Sequence, residues 1–278
     1  MTDSTQTRPA PEAATTPGGR AFAVVTGASS GIGYELAKQF AEHDFDVLIS
    51  AEDDELDQAA EQLKTLGTQV RSFRADLRTY QGVEALVAAI QEVGRVDAIA
   101  LNAGIGAGGP FATGPDLSAQ LDVVQVNVTS QVHLARRVLP TLVEQGSGRV
   151  LFTSSIAATQ PGPFEAVYAA SKAFIRSFAE ALRVELKDSG VTVTTLLPGP
   201  TDTEFFERAG LEDTKLGSGP KDDPTEVARQ GFEALMKGAD QVVAGSFKNK
   251  VMASAKGLPE KTKAAAHAKL SEPGSADN

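Results

Sequence analysis

The 278-residue sequence predicts an α/β fold, a parallel sheet of about seven strands with helices on both faces, and three observations lead there. Apolar runs of strand length alternate with stretches of helical apolar spacing from residue 21 to residue 196, the crossover pattern that parallel neighbours require. A glycine-rich stretch, Thr26-Gly-Ala-Ser-Ser-Gly-Ile-Gly33, falls where the first strand turns into the first helix. The other distinctive residues, Asp76, Asn102 to Gly104, Ser154-Ser155 and Pro198-Gly199, each follow a strand, the end at which open parallel sheets hold ligands.

Each element carries its own signal. Residues 1–19, rich in Thr, Pro, Ala and Gly and without period, are expected to form a disordered leader. Residues 20–247 are expected to form one domain, and 248–278 a lysine-rich C-terminal extension, helical in part or frayed. Ala21 to Val25 reads as the first strand, with Leu36, Ala37 and Phe40 on the inner face of the helix behind it. Further strands are expected at 45–50, 70–75, 96–101, 149–153, 191–196 and 241–245. Leu56, Ala59, Ala60 and Leu63 mark a helix over 54–66 that Gly67 ends; Val83, Leu86, Val87 and Ile90 mark one over 79–93. A long helix is expected over 117–144 with Leu121, Val124, Val128, Leu134 and Leu142 inward, followed by helices at 164–186 and 224–236. Thr201 to Lys221, rich in Gly and charge, breaks the rhythm and reads as an inserted flap.

Composition narrows the function classes. With 41% hydrophobic residues the chain can bury a large core. Cysteine is absent, which excludes disulfides, thiolate metal sites and a cysteine nucleophile and fits a cytoplasmic location. No apolar run approaches the roughly eighteen residues of a spanning helix, and the polar start has no signal-peptide character. A formal net charge of −10 argues against a nucleic-acid partner. The six lysines from Ser246 to Asn278 outnumber Glu260, Glu272 and Asp277, so that tail is basic, either solvated or set against an acidic neighbouring subunit. No His, Asp or Glu grouping has metal-ligand spacing, so no metal is expected; His43, His133 and His267 are assigned surface or packing roles.

A glycine-rich strand-to-helix turn lets backbone N–H groups approach a diphosphate while the helix N-terminus offers partial positive charge. Downstream, Tyr168 and Lys172 stand four residues apart on one helix face. An ammonium beside a phenol favours phenolate, and lowering a tyrosine by two units from about 10 takes roughly 3 kcal/mol. Ser155, thirteen residues before Tyr168, follows a strand end where its hydroxyl can hold a carbonyl oxygen against that phenol.

In order along the chain, Thr26-Gly-x-x-x-Gly-Ile-Gly33, Asp76, Asn102-Ala-Gly104, Asn127, Ser155, Tyr168-x-x-x-Lys172 and Pro198-Gly-x-x-x-Thr203 resemble the shorter, single-domain branch of the short-chain dehydrogenase/reductase family. The glycine spacing, unlike the commoner Gly-x-Gly-x-x-Gly, itself points there. The resemblance spans residues 21 to 247 and implies a Rossmann-like doubly wound sheet. It also implies an NAD(P)-dependent oxidoreductase working on a carbonyl or secondary alcohol. By that resemblance Tyr168 is the general acid or base, Ser155 polarises the substrate oxygen, Lys172 holds the nicotinamide ribose, and Asn127 anchors a proton-relay water. Gly27, Ser29, Ser30, Gly31, Ile32 and Gly33 cradle the diphosphate. Glu52 lies at the adenosine ribose, Asp76 and Leu77 against adenine, Asn102, Ala103 and Gly104 beside the cofactor, and Pro198, Gly199, Thr201 and Thr203 near the carboxamide.

The chain departs from the family at the cofactor's 2′ position. NAD-preferring relatives tend to carry an aspartate at Ala51, NADP-preferring ones an arginine at Glu52, and here neither holds. The acidic run Glu52, Asp53, Asp54, Glu55 and Asp57 favours NAD(H); NADP(H) stays open if Arg71 or Arg74 folds across, and the run also suits a helix N-terminus. Specificity is expected from 105–111, 156–165 and the 201–221 flap, where Phe111, Phe164, Phe205 and Phe206 suggest an apolar pocket wall. Phe174 and Phe178 are assigned to the core or to a subunit interface, and the family implies a homodimer or homotetramer. The competing reading is a non-catalytic dinucleotide-binding sensor of the same fold.

Overall fold

A computed structural model of the chain describes residues 19–114, 116–246 and 259–277. The expected leader, apart from Gly19, and the 248–258 part of the extension lie outside the described residues. Seven strands, β1 (Ala21–Thr26), β2 (Phe45–Ala51), β3 (Val70–Arg74), β4 (Ala98–Leu101), β5 (Gly148–Thr153), β6 (Val191–Pro198) and β7 (Gln241–Ala244), form one sheet in the order β3-β2-β1-β4-β5-β6-β7. Every pairing is parallel; Val24 of β1 is flanked by Leu48 on one side and Ile99 on the other. The winding direction reverses between β1 and β4, which opens a crevice at their carboxyl ends.

Helices α1 (Gly31–Glu42), α2 (Glu55–Lys64) and α9 (Pro224–Met236) cover one face; α3 (Tyr80–Gln91), α5 (Ser130–Gln145) and α6 (Ala166–Glu185) cover the other. Leu36, Ala37 and Phe40 of α1 are fully buried with Val25, Ile49 and Phe232, as their spacing predicts. The Phe40 ring meets Phe45 and Phe232 edge-on, each at 5.2 Å.

One region differs from expectation, and two others acquire definite structure. The stretch 117–144 is not one helix: α4 (Leu117–Val124) passes into a π-helical turn, Gln125–Thr129, before α5 begins. The extra residue in a π turn rotates the following helix by roughly 100°, the angle per residue of an α-helix. Leu134 and Leu142 therefore face the core, while Leu121 and Val124, on the far side of the turn, face outward with Val123 and Val126 buried instead. The flap is structured: α7 (Phe205–Arg208) and α8 (Lys215–Ser218) enclose a small core of Phe206, Ala209 and Leu211. The C-terminal segment forms α10 (Glu260–Ser271), which is docked, with His267 and Ser271 buried.

Candidate active site

The crevice begins at the glycine turn. Gly27 has φ 65, and a Cβ there would stand 2.8 Å from the Ala103 Cα; a Cβ on Gly33 would stand 1.9 Å from the Gly27 carbonyl oxygen. The first contact welds the turn to the end of β4; the second requires α1 to start against the turn. Asn102 braces the arrangement: its Nδ2 donates to the Thr26 carbonyl at 3.1 Å, and its Oδ1 accepts from Thr153 Oγ1 at 2.9 Å. Three strand ends are thereby fixed together. Ser30, the N-cap of α1, makes no side-chain cap bond, so the orphan N–H groups of this helix keep their capacity for a ligand.

At the β2 end, Glu52 and Asp53 both face the crevice. Ser29 Oγ donates to Asp53 Oδ2 at 2.9 Å, while Asp53 Oδ1 is buried without a partner among the described residues. Of the two bases expected to fold across the acidic run, Arg74 does so, at Asp54 and Asp57, and Arg71 does not; Arg78, not expected there, meets Glu52 at 2.6 Å and Asp76 at 2.8 Å. The Arg78 hydrogen bond holds the Asp76 carboxyl below its ordinary range. Arg208 from the flap pairs with Glu204 and Asp53. Asp76-Leu-Arg78 was the readable signal for Arg78, since an arginine two residues after an acid reaches back over a tight turn.

At the other end, Ser155 closes β5, and α6 presents Tyr168 and Lys172 one turn apart. The Ser155 hydroxyl acts on the Tyr168 phenol in the direction of phenolate. Lys172 is buried; its Nζ donates to the Thr153 carbonyl at 3.0 Å and sits 5.7 Å from the Tyr168 ring centroid. Burial alone pushes this amine down to about 8. Tyr168 lies well above the ordinary phenol value, because burial and the Glu165 carboxylate both oppose phenolate more than Ser155 favours it. The expected lowering of Tyr168 by Lys172 is therefore not what the protein's own groups produce.

Asn127 sits in the π turn, fully buried. Its Oδ1 accepts from Ile105 N at 2.9 Å, and its Nδ2 donates to Ile105 O at 2.9 Å and Ser171 Oγ at 3.0 Å. The carboxamide thus ties the loop after β4 to α6.

Of the twenty residues assigned to catalysis or to the cofactor, nineteen line one cavity of about 620 Å³ and Asn127 stands behind its wall. Of the four phenylalanines assigned to the substrate wall, Phe205 and Phe206 are there, with Phe205 at 5.0 Å from the Tyr168 ring. Phe111 projects into solvent, 64% exposed, and Phe164 is spent on a strained turn with φ 64; neither reaches the cavity. Ile105, Ile156, Leu216 and Leu270 supply the rest of the apolar wall. Of the surface and packing roles assigned to His267, burial leaves the second: it lies in the cavity wall, its Nε2 3.0 Å from Glu165 Oε2 and its Nδ1 3.1 Å from the Gln160 amide. A lone histidine in a basic tail gives no hint of this, because the contact joins positions 102 residues apart. Among the described residues no cluster fit to hold a metal occurs, and no helix is long and apolar enough to cross a membrane.

Residues 21–213 match the family model described as short chain dehydrogenase. The chain belongs to that family. It is 34% identical over 218 residues to a short chain dehydrogenase of Pseudocercospora fijiensis, covering 77% of this chain and 69% of the relative. It is 30% identical over 227 residues to the ketoacyl reductase HetN of Nostoc sp., covering 79% and 77%. Among solved structures, a short-chain dehydrogenase from Sphingobium yanoikuyae in complex with NADPH superposes with a TM-score of 0.75 at 26% identity, over 90% of this chain and 93% of the other. The fold is Rossmann-like, and the protein is a nicotinamide-dependent oxidoreductase acting on C=O or CH–OH groups, an enzyme and not a sensor.

Proposed function

We propose that this short-chain dehydrogenase/reductase interconverts a carbonyl compound of largely apolar body and the corresponding secondary alcohol, with NAD(H) as preferred cofactor. The observation that carries the reading is the placement of Ser155, Tyr168 and Lys172 on one wall of the cavity that the glycine turn opens. The turn has no room for a Cβ at Gly33, and α1 leaves its first N–H groups uncapped by Ser30, which suits a diphosphate. The unpartnered Asp53 Oδ1 suits a ribose hydroxyl donor. When bound, the nicotinamide supplies or accepts the hydride.

The chain's own residues do the rest. Ser155 Oγ donates to the substrate oxygen, which stabilises charge as it develops there. Tyr168 Oη gives its proton to that oxygen in reduction and takes it back in oxidation. Its raised proton affinity keeps it protonated at neutral pH, the form a general acid needs. Lys172, buried and bonded to Thr153, is fixed beside the phenol and is placed to hold the nicotinamide ribose. Thr201 and Thr203 of the flap base complete the carboxamide side. The Asn127 side chain is committed to Ile105 and Ser171, so its part in a relay falls to its main chain.

Glu52 and Asp53 repel a 2′-phosphate, and Arg78, which would attract one, is already neutralised by Glu52 and Asp76. Residues 20–247 carry every residue assigned here to catalysis and to the cofactor, and the domain is a homo-oligomer through the outer faces of α4 and α6, where Leu117, Leu121, Phe174 and Val184 are exposed. The cysteine-free composition suits a reducing cytoplasm.

A panel of ketones, aldehydes and secondary alcohols with both cofactors tests the reading. Tyr168→Phe is expected to lower turnover by roughly 10²–10⁴-fold while NADH binding, followed by NADH fluorescence, stays within about twofold. Undiminished turnover in that variant refutes the assignment of the acid.

A further inference from the structure

The wall facing the catalytic tyrosine contains a buried polar pair that the mechanism above does not use. Glu165 and His267 are 3% and 5% exposed, and they meet at 3.0 Å from opposite ends of the fold. Glu165 is the N-cap of α6, three residues before Tyr168, and its charge acts on the phenol. His267 arrives on α10, and its other ring nitrogen meets Gln160 at 3.1 Å. With both nitrogens engaged, the ring is fixed in orientation.

The chain around the pair is held from several sides. Phe164, immediately before Glu165, has φ 64, a left-handed conformation that costs a non-glycine residue energy and persists only where the surroundings impose it. Here they do: Gly109 N donates to the Phe164 carbonyl at 2.8 Å, and Ser271 Oγ of α10 donates to the Pro163 carbonyl at 2.9 Å. Beyond α10, Gly274 N donates to Asp213 Oδ2 at 2.8 Å, and Ser275 Oγ accepts from Lys215 N at 3.0 Å. The C-terminal segment therefore ties the turn before α6 and the flap together across the substrate end of the cavity.

We propose that His267 is a positioning residue for the Tyr168 proton transfer: α10 brings it in to hold the Glu165 carboxylate in the cavity wall three residues before Tyr168, so that the C-terminal segment is part of the catalytic apparatus. The inference rests on Tyr168 being the acid of the proposed function. It goes further by making the phenol's proton affinity depend on a residue nearly one hundred positions downstream. The other charged groups lining the cavity on elements around the phenol are Lys172 on its own helix, Lys215 and Lys221 from the flap and Asp222 after it; Glu204 and Arg208 of the flap pair with each other and Arg208 reaches Asp53 at the β2 end.

The test needs no substrate. The chain has three tyrosines, so tyrosinate absorbance on an alkaline ramp, less the same ramp for Tyr168→Phe, isolates the ionisation of Tyr168. Circular dichroism at each pH restricts the comparison to folded protein. In Glu165→Gln the Tyr168 ionisation is expected to move to lower pH by roughly half a unit or more, since a carboxylate beside it is gone. His267→Ala is expected to move in the same direction by a smaller amount, and His267→Gln, whose amide donates from the Nε2 position, to stay with the wild type. A His267→Ala ramp that superimposes on the wild type overturns the proposal, as does a His267→Gln ramp that follows His267→Ala. Undiminished turnover in Tyr168→Phe is a separate result: it removes the catalytic reading and leaves the ionisation measurement standing.

Discussion

Lys172→Met is expected to make the cofactor-free enzyme more stable at pH 7 while removing its activity. Lys172 is 3% exposed and has no acidic partner among the described residues, and burial pushes its amine from 10.5 down to about 8. A folded pKa below the unfolded one means that the unfolded chain binds the proton more tightly. The burial penalty is thus fully present below about pH 8 and fades as pH rises towards 10.5. At about 1.4 kcal/mol per unit, the shift corresponds to roughly 3 kcal/mol of destabilisation at pH 7. Methionine removes that penalty but also the bond to the Thr153 carbonyl, worth about 1 kcal/mol, which leaves a net gain near 2 kcal/mol. For a chain of this size that is a rise in Tm of roughly 4–8 °C. Near pH 10.5 the charge contribution is gone, only the lost hydrogen bond remains, and the variant becomes slightly the less stable of the two. Thermal unfolding followed by circular dichroism at pH 7 and pH 10.5 reads both numbers. A variant less stable at pH 7, or a difference that does not change between the two pH values, refutes the reasoning.

Phe40→Ala, at a fully buried ring between Phe45 and Phe232, is expected to cost roughly 3–5 kcal/mol in urea unfolding, with any loss of activity following the loss of folded protein. Glu52→Arg exchanges an acid at the β2 end for a base beside Arg78 and is expected to shift the ratio of NADH to NADPH affinity at least about tenfold towards NADPH. If wild-type protein already binds NADPH the more tightly, the preference for NAD(H) is refuted outright. Phe174→Asp, on the exposed face of α6, is expected to lower the molar mass seen by light scattering if that face joins subunits. An unchanged oligomer places the interface elsewhere.

Most of the fold was legible because its signals are local. β-strand runs such as Val47 to Ile49 and helical faces such as Leu56, Ala59, Ala60 and Leu63 declare their burial through spacing alone, and all seven strands lie where those runs predict. The π turn was not legible. Val124 and Leu142, eighteen residues apart, are in phase on an unbroken helix, and nothing in Gln125–Thr129 announces the extra residue that separates their faces. What holds the turn is tertiary: the Asn127 carboxamide bonded to Ile105 and Ser171. The cradle and the Ser155, Tyr168, Lys172 set were legible for the same reason as the strands, since each lies within one strand-turn-helix unit. The ion pairs at the adenosine end were only half legible: the acids could be counted, but which arginine reaches them depends on the curl after β3.

His267 marks where local reading ends and also says why substrate choice escapes it. The residues that line the reacting end come from segments whose only relation is their meeting above the sheet: Ile105 after β4, Gln160 and Glu165 before α6, Leu216 in the flap, and His267 and Leu270 on α10. His267 is the extreme case, meeting Glu165 and Gln160 across 102 and 107 residues of sequence. The diphosphate cradle, by contrast, is built within one turn and one helix start. A sheet of this kind thus keeps its cofactor end in short-range sequence and commits its substrate end to the loops and the C-terminal helix. Exchanging α10 and residues 205–221 of the flap together, with Thr201 and Thr203 left in place, is accordingly expected to change which carbonyl is reduced while leaving NADH affinity within about threefold, since the residues assigned to the cofactor lie outside the exchanged segments. A joint exchange that weakens NADH binding as much as it alters turnover would show that the two ends are not separable.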